Sequence, residues 1–447
     1  MDFLIAVSIF TLSLIYSISI NISTIFPLLI GMFSFSFVAF HRGYNLKSIV
    51  TMLLHGMKKA FSLMPIFALI GIITAIWRGC GTISFFVYYG TKFMNPDYFI
   101  LFAFLLSCLV SFALGTSFGT AGTIGVVLIV LAKGGDVNLN AAAGAIISGA
   151  FFGDRCSPTS SSANLVAAIT ETDLYDNVKR MFITGLIPFV FTFIFYYFLS
   201  RKYPLNVTNN SLLSDISYYF NLNIITIFPA LIIFVLAAFK KSVKTSMFFS
   251  VLSAILICIF VQNMPVEEVF KTMMFGFNLG ADSSLTNIIS GGGLLSMISV
   301  AFIVLIASSY TGIFEETGML NGIQGLLVKL SQKTGVYLTT VFTSVITGAF
   351  CCNQTLPVLL TQQLMHNIYD EKGYTKEDLA IDLENTAIMI SELFPWSIAI
   401  AVPLATLSVG AKAIPFAVYL YLIPLINIIK LPQSNKSSCN CLNKIER

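Results

Sequence analysis

This sequence is poor in charge. Asp, Glu, Lys and Arg make up 10% of its 447 residues, against about 25% in an ordinary soluble domain. Too few remain to coat a water-facing surface, which excludes a soluble globular chain. Histidine is scarce as well: His41, His55 and His366 are all there is, which leaves little imidazole for catalysis or metal ligation. The eight cysteines are mostly isolated in apolar runs (Cys80, Cys108, Cys258), with Cys351 and Cys352 adjacent and Cys439 and Cys441 near the end. Neither zinc-ligand spacing nor a disulfide frame emerges from them, and no cofactor is expected. The net charge of +4 is small and sits mostly in loops, which argues against a nucleic-acid partner. The first apolar run, Phe3–Ile20, lacks a basic lead and a small-residue cleavage site, so it reads as a retained helix.

What is present is oil. Hydrophobic residues are 56% of the chain and the mean hydropathy is +0.86. Apolar runs of the length that spans a bilayer, about 20 residues, recur along most of it. The fold class is an all-α polytopic membrane protein with about 10–12 transmembrane segments, and its first partner is the lipid bilayer. Heavy use of Ile, Phe, Lys and Asn suits a bacterium with an AT-rich genome, hence a multi-pass protein of the cell membrane.

The chain repeats its own order. Runs Phe3–Ile20 and Ile22–Phe40, the mixed segment "HRGYNLKSIVTMLLHGMKKA" and a run from Phe61 are followed in the second half by Asn223–Phe239, Met247–Val261, a mixed segment from Pro265 and a run from Leu294. "WRGCGTISFFVYYG" pairs with "TGIFEETGMLNGIQG", "ALGTSFGTAGTIGVVL" with "AFCCNQTLPVLL", and "GDRCSPTSSSAN" with "LENTAIMISELFPW". The division is residues 1–201 (first repeat), 202–221 (inter-repeat loop), 222–430 (second repeat) and 431–447 (polar tail). The segment His41–Ala60 carries Arg42, Lys47, Lys58 and Lys59 without an acid, whereas its counterpart carries Glu267, Glu268 and Asp282 against Lys271. Basic loops stay inside. With Lys240, Lys241, Lys244 and the basic tail as further inside marks, both termini are expected in the cytoplasm and the halves inverted. Inverted repeats with broken helices and re-entrant segments are a design of secondary transporters, whose site lies near the bilayer midplane.

The polar stretch "GDRCSPTSSSAN", Gly153 to Asn164, interrupts an apolar run. Pro158 removes an amide donor and pushes Ser157 off the helix, and a helix is broken at membrane depth only where the gap faces protein or water. The freed carbonyls with Ser157, Thr159, Ser160, Ser161, Ser162 and Asn164 make a dense oxygen set suited to Na+ or a proton. Asp154 adds a carboxylate that would hold either; the plainer alternative is an ion pair with Arg155, which itself would touch an anionic substrate or snorkel to the surface. In the second half Glu384, Asn385 and Thr386 precede Ser391, Glu392 and the breaker Pro395. There the bland reading is a solvated helix start, with Glu377, Asp378 and Asp382 in water. Thr116 and Ser117 in "GTSFGTAGT", and Asn353 and Thr355 in "NQT", read as tips of re-entrant segments that line the site or act as packing glue. "GGG" at Gly291–Gly293 reads as a hinge or loop end.

"GTSFG" also matches a nucleophile elbow, but it follows a membrane run and the histidines lie elsewhere. The chain is not expected to be an enzyme. A simple channel suits two carboxylate-bearing breaks less well than alternating access does.

These segments together resemble the NhaC family of sodium:proton antiporters. "GDRCSPTSSSAN" is similar to its G-D-x-x-S-P-x-S-D-T-T-N element, and "GCGTISFFVYYG", "GTSFGTAG" and "LENTAIMISELFPW" follow in the same order, from about Leu28 to Ile429. The resemblance implies a Na+ and H+ antiporter with elevator-type motion, and carries over Asp154, Ser157, Pro158, Ser160, Asn164, Glu384, Ser391, Pro395 and Trp396. It also shows departures. A family acid falls on Ser161, the following Thr pair on Ser162 and Ala163, and the acid after Glu384 on Asn385. Two hydroxyl positions are Ile388 and Ile390, and a family Pro falls on Glu392. Glu392 is expected to replace part of the charge missing at 161. The cargo implied is Na+ exchanged for H+ at one site; the alternative is a small organic acid or amino acid moved with a coupling ion. A homodimer is compatible with this reading.

Overall fold

A computed structural model describes residues 2–20, 22, 25–206, 210–239, 241–280, 284–317, 324–351 and 353–430. Lys240, Asp282, Cys352, part of "TGMLNG" and the tail with Cys439 and Cys441 lie outside the described residues.

The apolar runs fold as helices because a helix satisfies its own backbone, which hydrocarbon requires. The first six are α1 (Asp2–Ser19), α2 (Ile25–His41), α3 (Leu46–Ala60), α4 (Met64–Gly79), α5 (Thr82–Phe93) and α6 (Phe99–Leu114). Then come α7 (Ser117–Thr120), α8 (Val126–Gly134), α9 (Leu139–Cys156), α10 (Ser161–Thr170), α11 (Leu174–Lys202) and α12 (Asn210–Tyr219). The second half opens with α13 (Phe228–Ala238), α14 (Val243–Phe260), α15 (Val266–Phe275), α16 (Ser284–Ile289), α17 (Ile298–Thr317) and α18 (Gln324–Thr334). It closes with α19 (Val336–Phe350), α20 (Thr355–Glu371), α21 (Lys376–Asn385), α22 (Ala387–Ser391), α23 (Ile398–Thr406) and α24 (Val418–Lys430). Among the described residues there is no strand, only an isolated bridge between Phe277 and Gly291.

Among the described residues six helical stretches are long and apolar enough to cross a membrane, and a pair bent by 99° around residue 220 makes a seventh if it counts as one span. Four shorter apolar helices, among them Ile25–His41 and Val336–Ala349, bring the candidates into the expected range of about 10–12. The chain is therefore a multi-pass membrane protein. Helix α11 shows the solvent it is made for: its 29 residues reach about 43 Å, and Phe182, Ile183, Leu186, Phe191 and Phe198 stand exposed along it. The segment expected as an inter-repeat loop contains α12.

The apolar interior forms two main bodies. The larger runs through α4 to α24, with Val300 and Val304 as the part of α17 that joins it. The smaller gathers α1, α2, α3 and α17 around Phe10, Phe35, Tyr310 and Phe314, with Phe35 and Phe314 ring centres 4.7 Å apart. Trp396 joins that cluster at 6.0 Å from Phe10. Helices α3 and α17 cross with almost no side chain between them: a Cβ on Gly56 would lie 2.2 Å from Ser308 O, and one on Gly312 2.1 Å from Met52 O.

Candidate functional site

Helix α9 ends where the sequence says it must. Ser157 turns to φ −83°, ψ 134°, Pro158 and Thr159 form the gap, and Ser160 caps α10 by accepting from Ser162 N and Ala163 N. The hydroxyls in the gap are largely committed to backbone. Ser157 Oγ donates to Phe112 O at 2.7 Å and meets Thr159 Oγ1 at 2.8 Å. Ser160 and Ser162 both donate to Asp154 O, the latter at 2.8 Å. Asn164 donates its amide to Pro158 O and Ser160 O at 3.2 and 2.6 Å. Thr159, Ser161 and Asn164 are exposed.

Asp154 sits in the last turn of α9, 5% exposed. Ser117 Oγ at 3.4 Å, Ser160 Oγ at 3.5 Å and Gln354 Nε2 at 3.3 Å approach its carboxylate, all at long range, and Ser162 lies beside them. Two come from the tips of helical hairpins. Thr116 caps α7 and so sets Ser117, which faces an acid here rather than a histidine. The α6 turn before it is left-handed at Gly115 (φ +67°), and a Cβ there would lie 2.3 Å from Thr159 Oγ1. Only glycine lets this tip press against the broken helix. At the other tip Asn353 accepts from Leu356 N at 2.8 Å and Thr355 is exposed. The residue between them, Gln354, is the one that reaches Asp154.

Arg155 does not pair with Asp154, nor does it snorkel. It is 0% exposed and donates to Met181 O at 3.1 Å, Thr184 Oγ1 at 3.0 Å and Asn385 Oδ1 at 2.5 Å. It thus ties α9 and α11 of the first half to α21 of the second. Glu384 is no solvated helix start either. It is fully buried, and neither of its carboxylate oxygens has a hydrogen-bond partner among the described residues. Thr386 donates to Asp382 O at 2.6 Å and accepts from Ser344 at 3.0 Å. Ser391 donates to Ile388 O at 3.0 Å and lies 3.4 Å from Glu392 Oε1. Glu392 is fully buried, and its Oε2 has no hydrogen-bond partner among the described residues. Glu384 and Glu392 each feel the charge of Asp154, and Glu384 also that of Arg155. Burying a bare carboxylate is costly unless a proton or a cation accompanies it, so these open oxygens are acceptors in waiting. Among the described residues no three His, Cys, Asp or Glu converge as a metal cluster. A cation here would be held by one carboxylate with hydroxyl, amide and carbonyl oxygens.

Two cavities reach the breaks. One, of about 810 Å³, touches Gly115, Thr116, Pro158, Thr159 and Ser161 beyond the end of α9. The other, of about 500 Å³, touches Asn140 at the start of α9 and Pro395 at the second break. Helix α9 is about 27 Å long, so the two open toward its opposite ends.

A description of the Na+/H+ antiporter family matches residues 3–163 and 149–431. The chain belongs to that family. It is 28% identical over 383 residues to the Na(+)/H(+) antiporter NhaC of Alkalihalophilus pseudofirmus, covering 84% of this chain and 83% of that one. It is 29% identical to an uncharacterized Na(+)/H(+) antiporter of Haemophilus influenzae, over 86% of this chain and 84% of the relative. It is also 27% identical to the malate-2H(+)/Na(+)-lactate antiporter of Bacillus subtilis, over 86% of this chain and 84% of that one. The resemblance to NhaC antiporters seen in the four segments thus extends over most of the chain, and these relatives are antiporters.

Proposed function

We propose that this antiporter-family member exchanges Na+ for H+ at Asp154 by alternating access. The observation that carries the reading is the state of that carboxylate: buried, unpaired with Arg155, and approached at 3.3–3.5 Å by Ser117, Ser160 and Gln354, with Ser162 beside them. A carboxylate held this loosely can exchange partners. Na+ with nearby oxygens displaces the proton from one side; a proton displaces Na+ from the other. The cavities at opposite ends of α9 supply a route to each break, in keeping with inverted repeats and with movement of one bundle against the other. Glu384 is partly offset by Arg155, and Glu392 supplies a second open acid. Each pH unit across the membrane is worth about 1.4 kcal/mol and each uncompensated charge about 2.3 kcal/mol per 100 mV. Basic loops favour an orientation with both termini in the cytoplasm, and a homodimer fits the exposed apolar flanks as well as lipid does.

The test uses proteoliposomes with a pH-sensitive dye inside and an outward proton gradient. Na+ added outside should alkalinise the lumen with the wild type and not with Asp154→Asn. A flat wild-type trace would overturn the reading.

One observation favours a second cargo, a small organic acid. The charged side chains lining the larger cavity are Lys241 and Lys244, and Lys412 lines the other. Cationic walls attract anions and repel Na+, and one relative is the malate-2H(+)/Na(+)-lactate antiporter of Bacillus subtilis. A proton trace that needs lactate or malate alongside Na+ would select this reading.

A further inference from the structure

Asp382 is the buried acid that the exchange at Asp154 leaves unused. It belongs to the stretch "EDLAIDLEN", whose acids look solvated, yet it is 4% exposed. Its Oδ2 accepts the Tyr369 hydroxyl at 2.7 Å. The same phenol meets Thr340 Oγ1 at 2.9 Å, and Thr340 Oγ1 reaches Val336 O at 3.0 Å. Tyr369 and Thr340 are both buried. The chain therefore runs from carboxyl to phenol to hydroxyl to carbonyl, with no cation in it.

Counting donors shows what such a chain can hold. With Asp382 protonated, the acid donates to Tyr369, Tyr369 to Thr340 and Thr340 to Val336 O, so every hydroxyl hydrogen has an acceptor in one direction. With Asp382 ionised, Tyr369 turns round and donates to the carboxylate. Both states are hydrogen-bonded, and the hydroxyls switch between them without moving the backbone. A merely structural acid would need one state only.

The group is wired to the second break. Thr386 N turns to Leu383 O at 3.4 Å, and Asp382 O accepts the Thr386 hydroxyl at 2.6 Å instead. Glu384 and Asn385 lie between the two. The titratable groups facing Asp382 are Tyr369 from α20, Tyr337 from α19 and Asp378 one turn back on its own helix. From α11 comes Arg180, paired with Asp378 at 3.3 Å, and from the end of α10 Glu171, paired with Lys376 at 2.5 Å. Helix α24 contributes Tyr419, which lies by Arg155, and α22 has no titratable residue.

We propose that Asp382, with Tyr369 and Thr340, is a second proton-binding station, loaded from the Asp378 and Arg180 surface and emptied during the transport cycle. Its role in transport rests on the exchange reading; its ability to hold a proton does not. The step is a bare proton transfer: an O–H bond of hydronium breaks, one forms on Asp382, and no oxidant or other reactant enters.

Two measurements on the full chain in lipid test it. Infrared difference spectra taken between acid and alkaline pH without Na+ should show a carboxylic-acid band that Asp382→Asn lacks and Tyr369→Phe shifts. An unchanged spectrum in Asp382→Asn overturns the proposal. In the dye assay Asp382→Asn should cut Na+-driven proton flux at least about tenfold at one end of the pH profile. Its half-saturating Na+ should stay within about twofold, and Asp382→Glu should restore the profile. A lower thermal midpoint with the profile's shape intact would mean a structural acid and also overturns it. If wild type shows no Na+-driven flux, the exchange reading fails, and the infrared band alone decides whether Asp382 holds a proton.

Discussion

The two helix breaks are built on opposite plans. Around Pro158 the chain is crowded with hydroxyls, and most of them are taken: Ser157, Ser160 and Ser162 each donate to a backbone carbonyl, as does the Asn164 amide. Around Pro395 the wall is apolar, with Ile388, Met389 and Ile390 buried, and both carboxylate oxygens of Glu384 and Oε2 of Glu392 have no hydrogen-bond partner among the described residues. The hydroxyls hold the first gap open by replacing lost helical hydrogen bonds, as hydrocarbon demands. The open acids of the second gap are where charge is still wanted. Density of polar residues marks scaffold here, and want of partners marks chemistry.

The largest effect should come from the one acid that belongs to both descriptions. Asp154→Asn keeps the shape of the first break, because the close bonds of Ser160 and Ser162 go to its backbone carbonyl, while Ser160 Oγ stands 3.5 Å from the carboxylate. Na+-driven proton flux should nevertheless fall at least about 100-fold, with the thermal midpoint in detergent little changed. Loss of both together would mean that Asp154 is scaffold as well.

Next comes Glu392→Gln, which removes an acid from the sparse side and leaves its volume. Proton flux should fall about tenfold and the sodium requirement rise. Transport that is untouched would remove Glu392 from the site and leave the absence of an acid at 161 without compensation. The contrast between breaks would then rest on Glu384 alone.

Gly115→Ala probes the crowded side without touching charge. The new methyl would stand 2.3 Å from Thr159 Oγ1 and 2.7 Å from Thr159 C on a residue with φ +67°, so the tip has to retreat. A loss of about 1–3 kcal/mol in stability is expected, read as a lower thermal midpoint, with flux falling because Ser117 draws away from Asp154.

Much of this was legible beforehand. The helix class follows from the apolar runs, the first break from Pro158 and the capping serines beside it, and the second acid pair from carboxylates set within an oily stretch. What stayed hidden is partner choice. Gln354 and Asp154 are 200 residues apart, and nothing local separates Gln354 from Asn353 and Thr355, its neighbours in "NQT". Arg155 next to Asp154 invites an ion pair, but a helix sends consecutive side chains about 100° apart, and Arg155 faces α11 and α21 instead. Asp382 follows Asp378 by one helical turn, and Asp378 is half-exposed. Only the packing of neighbouring helices over α21, with Tyr369 of α20 on the carboxylate, separates a wet acid from a dry one.

The smallest effect belongs to the rim, where charge is plentiful and cheap to lose. Lys376 Nζ lies 2.5 Å from Glu171 Oε2; that hydrogen bond, and then the lysine's charge, holds the Glu171 carboxyl below its ordinary range. A depressed carboxyl contributes stability that is present above its unfolded value and lost as pH falls through the folded one. Any contribution of this pair therefore disappears in acid, not in base. Both partners are exposed, so water and salt screen them. Glu171→Gln should move the thermal midpoint by about 1 °C or less at neutral pH and leave proton flux unchanged. A large loss of flux would show that the α10–α21 rim gates the route to Asp382, and the division between a structural surface and a chemical interior would have to be redrawn.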